Sequence, residues 1–248
     1  MKKPLIQISK LDVAYKEELV LADVSLTIND RDFIGIIGPN GGGKTTLVKA
    51  ILGLMKPLRG TVEYGIDPTE IGYLPQNIQV DGQFPISVRE VVASGLAGRT
   101  MKDKGSRDQT RVLTDEVLKI VGLQELRSRP IGNLSGGEFQ RAMLGRAIIS
   151  SPRILILDEP DTHVDNKFEK ELYTLLRDLN EKMAILLVSH DIGTISAYIK
   201  TIACVNRDLH YHTSNEISEQ QLKVYNCPIE IITHGPVPHR VMKEHESS

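Results

Sequence analysis

The chain has 248 residues, of which 40% are hydrophobic and 25% charged, and its formal net charge at pH 7 is −2. This is the composition of a globular protein with room for one full domain and a small subdomain, and it provides no basic field for nucleic acid. The two cysteines, Cys204 and Cys227, lack a metal-type spacing and indicate no disulfide framework, which fits a reducing cytosol.

Membrane-directed segments are not evident in the sequence. The N-terminus, MKKPLIQISKLDVAY, turns polar before an apolar core of signal-peptide length builds up. No uncharged apolar stretch reaches the roughly 18 residues that a membrane span needs. We therefore expect another chain to supply any membrane part.

The first third of the chain has the pattern of strands around a glycine-rich loop. Runs rich in Ile, Val and Leu predict strands at 5–9, 18–28 and 33–37. After the glycine-rich loop, a helix is expected from about Lys44 to Leu54. Short strands follow near 61–64 and 71–74.

The pattern becomes helical between residues 87 and 133, which we interpret as an insertion in a larger α/β core. One apolar helix face has members at i, i+4, i+7 and i+8, namely Leu113, Val117, Ile120 and Val121. The polar stretch from Arg99 to Asp108 predicts an exposed loop between two helices.

Helices and strands alternate again after residue 133. Helices are predicted at 136–151 and 166–182, a short helix after Asp191, and strands at 154–157, 184–188 and 201–206. The apolar face of the second helix is predicted to contain Phe168, Leu172, Leu175, Leu176 and Leu179. Continuous apolar strands that alternate with helices indicate an α/β fold with a mixed or parallel sheet covered on both faces.

The glycine-rich loop fits the phosphate-binding pattern G-x-x-x-x-G-K-[ST], with Gly38, Gly43, Lys44 and Thr45 at its fixed positions. Glycines let backbone N–H groups curve around phosphates, and the helix that follows directs its N-terminus at the same anion. We expect Lys44 to reach the β- and γ-phosphates and Thr45 to ligate Mg²⁺. The alternative is a glycine-rich turn that matches by chance, and the strand before and helix after the loop disfavour it.

Two adjacent carboxylates, Asp158 and Glu159, follow an apolar strand. They therefore lie at the carboxyl edge of the sheet, where open α/β sheets bind ligands. We expect Asp158 to hold Mg²⁺ and Glu159 to act as general base on the attacking water. The alternative is a pair of solvated carboxylates at a strand end.

A third motif, LSGGE at 134–138, lies between the glycine-rich loop and the Asp-Glu strand. Ser135 offers a hydroxyl group, and Gly136 and Gly137 offer N–H groups at a helix start. With Glu138, Ser135 also matches a capping box, and both interpretations can hold. The motif is similar to the LSGGQ signature, so the chain resembles the nucleotide-binding subunit of an ATP-binding cassette (ABC) transporter from residue 5 to about 215.

The resemblance implies the fold in more detail: a P-loop NTPase core with an N-terminal antiparallel β subdomain and an inserted helical subdomain. The chain would be a single ABC ATPase domain over 1–248. Its parts would be an α/β core at 1–86 and 134–215, a helical subdomain at 87–133 and a C-terminal tail at 216–248.

The resemblance also implies which residues contact ATP. In the P-loop they are Gly38, Pro39, Asn40, Gly41, Gly42, Gly43, Lys44, Thr45 and Thr46. From the opposite subunit of a homodimer they are Ser135, Gly136, Gly137 and Glu138, which takes the place of the commoner Gln. Tyr15 matches the aromatic residue that stacks on adenine.

The implied catalytic residues are Glu159, His190 and Gln76. Gln76 matches the glutamine that contacts Mg²⁺ and water and senses the membrane partner, and His190 matches the histidine that contacts the γ-phosphate. Thr45, Gln76 and Asp158 would hold Mg²⁺, and Asp165 would be a dimer contact.

Three segments resemble the zinc- and manganese-type metal importers: FPISVREVV at 84–92, IACVNRDLHYH at 202–212 and IEIITHGPVPHRV at 229–241. The first matches the region that receives the permease's coupling helices. The implied function is an ATPase that energises uptake of zinc, manganese or iron. It would lie peripherally on the cytoplasmic face of the inner membrane and bind an integral membrane permease, with an extracytoplasmic metal-binding protein as an indirect partner and no nucleic acid.

The histidines near the C-terminus do not by themselves indicate a metal site. His210 and His212 alternate in an expected strand, a pattern that often faces solvent, and the transported ion passes through the membrane subunit in the family that the chain resembles. Alternative functions are an importer ATPase for another small solute, a non-transport ABC ATPase, or a small-molecule or nucleotide kinase. The LSGGE motif and His190 argue against a kinase, and the lack of a long coiled-coil insertion or a second cassette argues against the non-transport enzymes.

Overall fold

A computed structural model of the chain describes residues 3–16, 18–76, 85–97, 107–160, 166–190, 192–215, 231–233 and 238–240. The strands in this part are β1 (Ile6–Tyr15), β2 (Glu18–Ile28), β3 (Phe33–Ile37), β4 (Arg59–Tyr64), β5 (Ile71–Leu74), β6 (Ile154–Asp158), β7 (Ala184–Val188), β8 (Thr201–Asn206), β9 (Asp208–His212), β10 (Ile231–Thr233) and β11 (Pro238–Arg240). The helices are α1 (Lys44–Ile51), α2 (Val88–Ser94), α3 (Arg107–Ile120), α4 (Gly136–Ile148), α5 (Asn166–Asn180) and α6 (Ile192–Ile195), with short 3-10 helices at Pro68–Glu70, Gln124–Leu126 and Ile131–Asn133.

The fold consists of two compact units, each built from several segments of the chain. The first unit comprises Met1–Ile6, Ile28–Asp32 and Tyr64–Leu187, and the second comprises Gln7–Thr27, Phe33–Glu63 and Val188–Ser248. In the described residues of either unit, no helix has the length and apolar character needed to cross a membrane.

In the first unit, strands lie side by side in the order β5-β6-β7. β5 and β6 are parallel, with Ile71 opposite Ile154 and Leu74 opposite Leu157. All five residues of β6 and of β7 are buried, as expected for strands covered on both faces. The carboxyl end of β6 therefore carries Asp158 at the edge of an apolar core.

The helical part of the first unit is held together by close packing at a glycine. A Cβ added at Gly145 of α4 would lie 3.1 Å from the side chain of Val92 and 3.4 Å from that of Val117. These valines belong to α2 and α3, so the small residue lets three helices approach one another. α2 begins at a capping box in which Ser87 and Glu90 exchange hydrogen bonds.

The apolar face of α3 differs from the prediction at one position. Thr114, Val117 and Leu118 are buried within the helix, and Val121 is buried just beyond its end. Ile120 is 47% exposed, so its expected place on the buried face is wrong. Residues 114, 117, 118 and 121 follow the spacing of a helical stripe, and this leaves Ile120 on the outer side.

In the second unit, one sheet has the order β2-β1-β4 and a second group of strands the order β3-β8-β9. β3 is parallel to β8, with Ile34 opposite Thr201, and β8 is antiparallel to β9. β1 extends beyond the strand predicted at 5–9. The alternation of buried and exposed residues shifts by one position after Ile8, and the sequence prediction therefore ended too early. Lys10 has a left-handed backbone (φ 47°), and burial resumes at Leu11 and Val13.

β9 places one of its histidines in an unexpected environment. His212 is 7% exposed, so the expectation that both His210 and His212 face solvent is wrong. Burial, and secondarily the charge of His210, lowers the pKa of the His212 imidazole. The His212 side chain is therefore part of the buried core beside β8.

Candidate functional site

The glycine-rich loop connects the buried strand β3 to α1 and gives that helix an open N-terminus. Gly43 occupies the N-cap with a left-handed backbone (φ 101°), and no side chain makes a capping hydrogen bond there. A Cβ at this position would lie 2.6 Å from the side chain of Leu21, so only glycine fits both the backbone and the space. An uncapped helix start can bind an external anion through its backbone N–H groups.

Lys44 lies inside this loop rather than extending into solvent. Its side chain is 6% exposed, and Nζ donates hydrogen bonds of 3.0 Å to the carbonyl oxygens of Gly38 and Pro39. Gly38 itself packs closely, because a Cβ there would lie 2.0 Å from the carbonyl oxygen of Val205. The ammonium group is therefore held at the position where phosphates would lie against the loop.

The other loop residues surround this centre. Asn40 and Gly41 are exposed, Gly42 is buried, and Pro39, Thr45 and Thr46 are partly buried. The loop thus combines an oriented ammonium group, an open helix start and two hydroxyl groups on its first helical turn, which matches the requirements of a polyphosphate.

The parallel register of β5 and β6 brings two predicted catalytic residues together in the first unit. Leu74 is opposite Leu157, so the positions two residues further on, Gln76 and Glu159, also correspond. Gln76 Nε2 donates a hydrogen bond of 2.7 Å to Glu159 Oε2. The amide and the carboxylate are thus in contact although 83 residues separate them in the sequence.

Glu159 and Asp158 leave the strand in different environments. Asp158 is 1% exposed, whereas Glu159 is partly buried and has a left-handed backbone (φ 48°). Such a conformation is uncommon for a residue other than glycine, and it is found often at functional sites. The left-handed backbone of Glu159 changes the chain direction directly after β6. Glu159 therefore does not continue the regular strand geometry of Asp158.

Tyr73, three residues before Gln76 in the sequence, is a neighbour of this site that the sequence did not reveal. It lies on β5, and burial together with the negative charge of Asp158 raises the pKa of its phenol to about 12. Burial is the larger of the two causes, and the charge of Asp158 adds to it. The signal that could have found Tyr73 is its position three residues before Gln76 on the strand that pairs with β6.

The LSGGE segment starts α4 with the predicted capping box. Ser135 N–H donates to Glu138 Oε2 at 2.8 Å, and Glu138 N–H donates to Ser135 Oγ at 3.3 Å. These bonds use the N–H groups of Ser135 and Glu138 and not those of Gly136 and Gly137. The helix start is thus fixed by its own side chains, and the capping box does not use the N–H groups of the two glycines.

Two neighbours explain further features of this helix start. A Cβ at Gly137 would lie 2.9 Å from the ring of Phe168 on α5, so the glycine is also required for packing. Arg141 lies over the same ring, 5.4 Å from its centroid, and pairs with Glu171. The Ser135 N–H holds the pKa of the Glu138 carboxyl below its ordinary value, with smaller contributions from Arg129 and Arg141.

Two further predicted site residues, His190 and Tyr15, lie in the second unit. His190 is exposed just after β7, and Tyr15 is 63% exposed at the end of β1, with Lys16 Nζ 6.0 Å from its ring centroid. Asp165 lies outside the described residues. The P-loop belongs to the second unit, whereas Gln76 and Glu159 belong to the first.

The donor chemistry of the predicted Mg²⁺ ligands suits that ion. Asp158 supplies a carboxylate, Thr45 a hydroxyl and Gln76 an amide, all hard oxygen ligands of the kind that Mg²⁺ prefers. The amide nitrogen of Gln76 is directed at Glu159, which leaves its oxygen as the acceptor for a metal. The described ranges contain no cluster of three or more His, Cys, Asp or Glu side chains that could hold a metal ion.

Comparisons with known proteins show the family to which the chain belongs. The family model described as "ABC transporter" matches residues 21–162. A "Probable metal transport system ATP-binding protein" of Thermotoga maritima is 40% identical, covering 88% of this chain and 89% of the relative. The "Zinc import ATP-binding protein ZnuC" of Saccharophagus degradans is 38% identical, covering 87% and 81% respectively.

Solved structures show the same architecture. A metal-chelate type ABC transporter in an inward-facing conformation superposes with a TM-score of 0.79 at 25% identity, covering 90% of this chain and 89% of that chain. A nucleotide-free ATP-binding cassette gives a TM-score of 0.74 at 22% identity, covering 90% and 95%. These neighbours confirm the predicted α/β P-loop NTPase fold. The chain therefore belongs to the ABC transporter family, as one of its ATP-hydrolysing subunits.

Proposed function

We propose that the chain uses ATP hydrolysis to energise uptake of a divalent metal ion, zinc or manganese ahead of iron, through a separate membrane permease. The contact between Gln76 Nε2 and Glu159 Oε2 supports the hydrolytic role. It links the expected general base, Glu159, to an amide that can respond to the permease. The metal cargo is supported by the relatives named for zinc import and metal transport.

ATP binding is assigned to the P-loop and to an exposed ring. Lys44 and the N–H groups at the start of α1 contact the β- and γ-phosphates, and they can do so without reorganising the loop, because Nζ already lies inside it. The exposed ring of Tyr15 stacks on adenine. Pro39, Asn40 and Thr46 complete the contacts of the loop.

Hydrolysis is assigned to the groups at the ends of β5, β6 and β7. Asp158, Thr45 and Gln76 hold Mg²⁺, which when bound neutralises charge on the phosphates. Glu159 accepts a proton from the attacking water, and the amide of Gln76 orients the carboxylate. His190, exposed after β7, contacts the γ-phosphate.

A second copy of the chain completes each nucleotide site. The N–H groups of Gly136 and Gly137 and the Ser135 hydroxyl contact the γ-phosphate bound by the partner, and Glu138 fixes their helix start. Asp165 contributes to the contact between the copies. ATP binding therefore closes the homodimer, and hydrolysis reopens it.

The proposed location is the cytoplasmic face of the inner membrane, where the subunit binds peripherally to an integral membrane permease. The segment 84–92, which contains the capping box of α2, is the proposed receiver of the permease. An extracytoplasmic metal-binding protein delivers the ion to the permease and contacts this subunit only through it.

The proposal is tested by measuring whole-cell zinc, manganese and iron after depletion of the protein under metal limitation. We expect a selective fall in one metal, restored by the wild-type protein and not by the Glu159→Gln variant. Equal content of all three metals before and after depletion would exclude metal import. Co-purification of the membrane partner would then identify the class of solute that the ATPase serves.

A further inference from the structure

A cavity in the helical part of the first unit is lined by three arginines. Its lining residues are Arg89, Arg111, Asp115, Gln124 and Arg127, and its volume is about 280 Å³. The set contains three guanidinium groups and a single carboxylate. None of these residues belongs to the candidate nucleotide site, although Arg89 also lies in the segment 84–92 that is proposed to receive the permease. We call this cavity the arginine cavity.

The backbone brings these side chains together from three elements. Arg89 lies on α2, Arg111 and Asp115 lie one helical turn apart on α3, and Gln124 begins the 3-10 helix that follows. The N–H of Arg89 donates a 3.0 Å hydrogen bond to the carbonyl oxygen of Arg127. Arg127 Nη1 in turn donates to the carbonyl oxygen of Gln124 at 3.2 Å. The cavity is thus a product of tertiary structure and has a fixed frame.

The positive charge of the arginine cavity is only partly neutralised. Asp115 pairs with Arg89, whose Nε is buried and has no hydrogen-bond partner among the residues that the structure describes. Arg111 and Arg127 also line the cavity and are exposed to solvent. Because each guanidinium group has five N–H donors and no acceptor, the donors around the cavity far exceed what Asp115 can accept.

We propose that the arginine cavity binds an anionic group of carboxylate or phosphate chemistry, as a ligand site separate from the nucleotide site. The planar fork of arginine matches both groups bidentately, and such charge-assisted hydrogen bonds are the strong ones. The volume suits a small anion or the charged end of a larger one. A bound anion would join α2, α3 and the 3-10 helix and would stabilise the helical part of the fold.

The test is a calorimetric titration of the full-length protein with inorganic phosphate and, separately, with citrate. The protein is first saturated with ADP so that the P-loop does not contribute, and sodium chloride of equal ionic strength serves as the reference. We expect binding of at least one of the two anions with a stoichiometry of one. Arg111→Gln and Arg127→Gln should each weaken it about tenfold or more, because each removes charged donors.

Two further variants sharpen the test. Arg177→Gln on α5, an exposed arginine outside the cavity, should leave the affinity unchanged. Asp115→Asn removes the carboxylate that competes with the anion for the arginines, and it should raise the anion affinity several-fold. Loss of structure would instead lower the affinity. Circular dichroism checks that each variant folds, and if one arginine variant fails to fold, the other and Asp115→Asn decide.

The outcomes separate the two chemistries. Binding of phosphate alone identifies a phosphate-bearing ligand, binding of citrate alone a carboxylate, and binding of both a general anion site. The proposal is overturned if neither anion binds above the chloride reference. It is equally overturned if Arg111→Gln and Arg127→Gln bind as tightly as the wild type.

Discussion

Gln76 and Glu159 share a hydrogen bond of 2.7 Å at the ends of two parallel strands. The contact follows from the register in which Leu74 lies opposite Leu157. The hydrogen bond links Glu159, the proposed general base, to the end of β5. In the sequence, β5 precedes the segment that is proposed to receive the permease. A displacement of the Gln76 segment would therefore alter the orientation of the Glu159 carboxylate directly.

Replacing Glu159 by Gln should abolish hydrolysis without abolishing ATP binding. The variant keeps the size of the side chain but removes the group that accepts a proton from water, so we expect phosphate release to fall about 100-fold or more. The variant should still bind ATP, and the closed dimer should accumulate. The measurements are phosphate release, nucleotide binding and size-exclusion chromatography with ATP.

The matched control is Glu181→Gln, which changes an exposed carboxylate in the turn after α5. It should hydrolyse ATP at the wild-type rate. Turnover of Glu159→Gln at a rate close to that of this control would remove Glu159 from its proposed role.

Replacing Gln76 by Ala should lower kcat with little change in ATP affinity. The variant loses the amide that donates to Glu159 Oε2, and hydrogen bonds to a charged group contribute roughly 1.5–3 kcal/mol, so we expect about a tenfold loss or more in the rate. Steady-state kinetics separates kcat from KM. An equal kcat with a raised KM would show that Gln76 serves binding and not orientation of the carboxylate.

Gly137→Ala should destabilise the start of α4. The added Cβ would lie 2.9 Å from the ring of Phe168, and overpacking of this kind costs about 1–3 kcal/mol. Thermal unfolding should show a lower Tm than the wild type. We expect Gly137→Ala to lower the Tm less when it is added to the Phe168→Leu variant than when it is added to the wild type. The leucine side chain is flexible and can move away from the added methyl group. An equal loss in both backgrounds would assign the defect to the backbone.

Short fixed-spacing motifs were enough to predict the P-loop, the strand before Asp158 and the capping box of Ser135, because each depends on neighbours in the sequence. The contact of Gln76 with Glu159 depends on strand register, and the effect of Asp158 on Tyr73 depends on the same pairing. Neither can be read from one segment alone.

The errors have the same physical origin. The exposure of Ile120 depends on which neighbours α3 packs against, and the burial of His212 depends on its pairing with β8. The arginine cavity combines three elements that no periodicity relates. Local patterns therefore predicted the elements and the motifs, whereas tertiary packing decided which polar side chains meet.

The stability of the α4 start should decline on acidification, and Glu138 is the cause. Hydrogen bonding by the Ser135 N–H holds the pKa of the Glu138 carboxyl below its ordinary value in the folded state. A carboxyl group whose pKa is lower in the folded state than in the unfolded state raises the free energy of unfolding. This contribution is fully present above the unfolded pKa, about 4.3, and is lost as pH falls through the folded pKa. The window of the effect therefore lies below about pH 5.

Glu138→Gln tests this linkage. Its amide oxygen can still accept the hydrogen bond of the Ser135 N–H, so we expect an intact capping box but no titration at this position. Between pH 6 and pH 4, urea unfolding should show a smaller loss of stability in the variant than in the wild type. Exposure of the side chain to solvent makes this difference modest. Parallel loss in both proteins across that range would show that the acid sensitivity arises from other carboxylates.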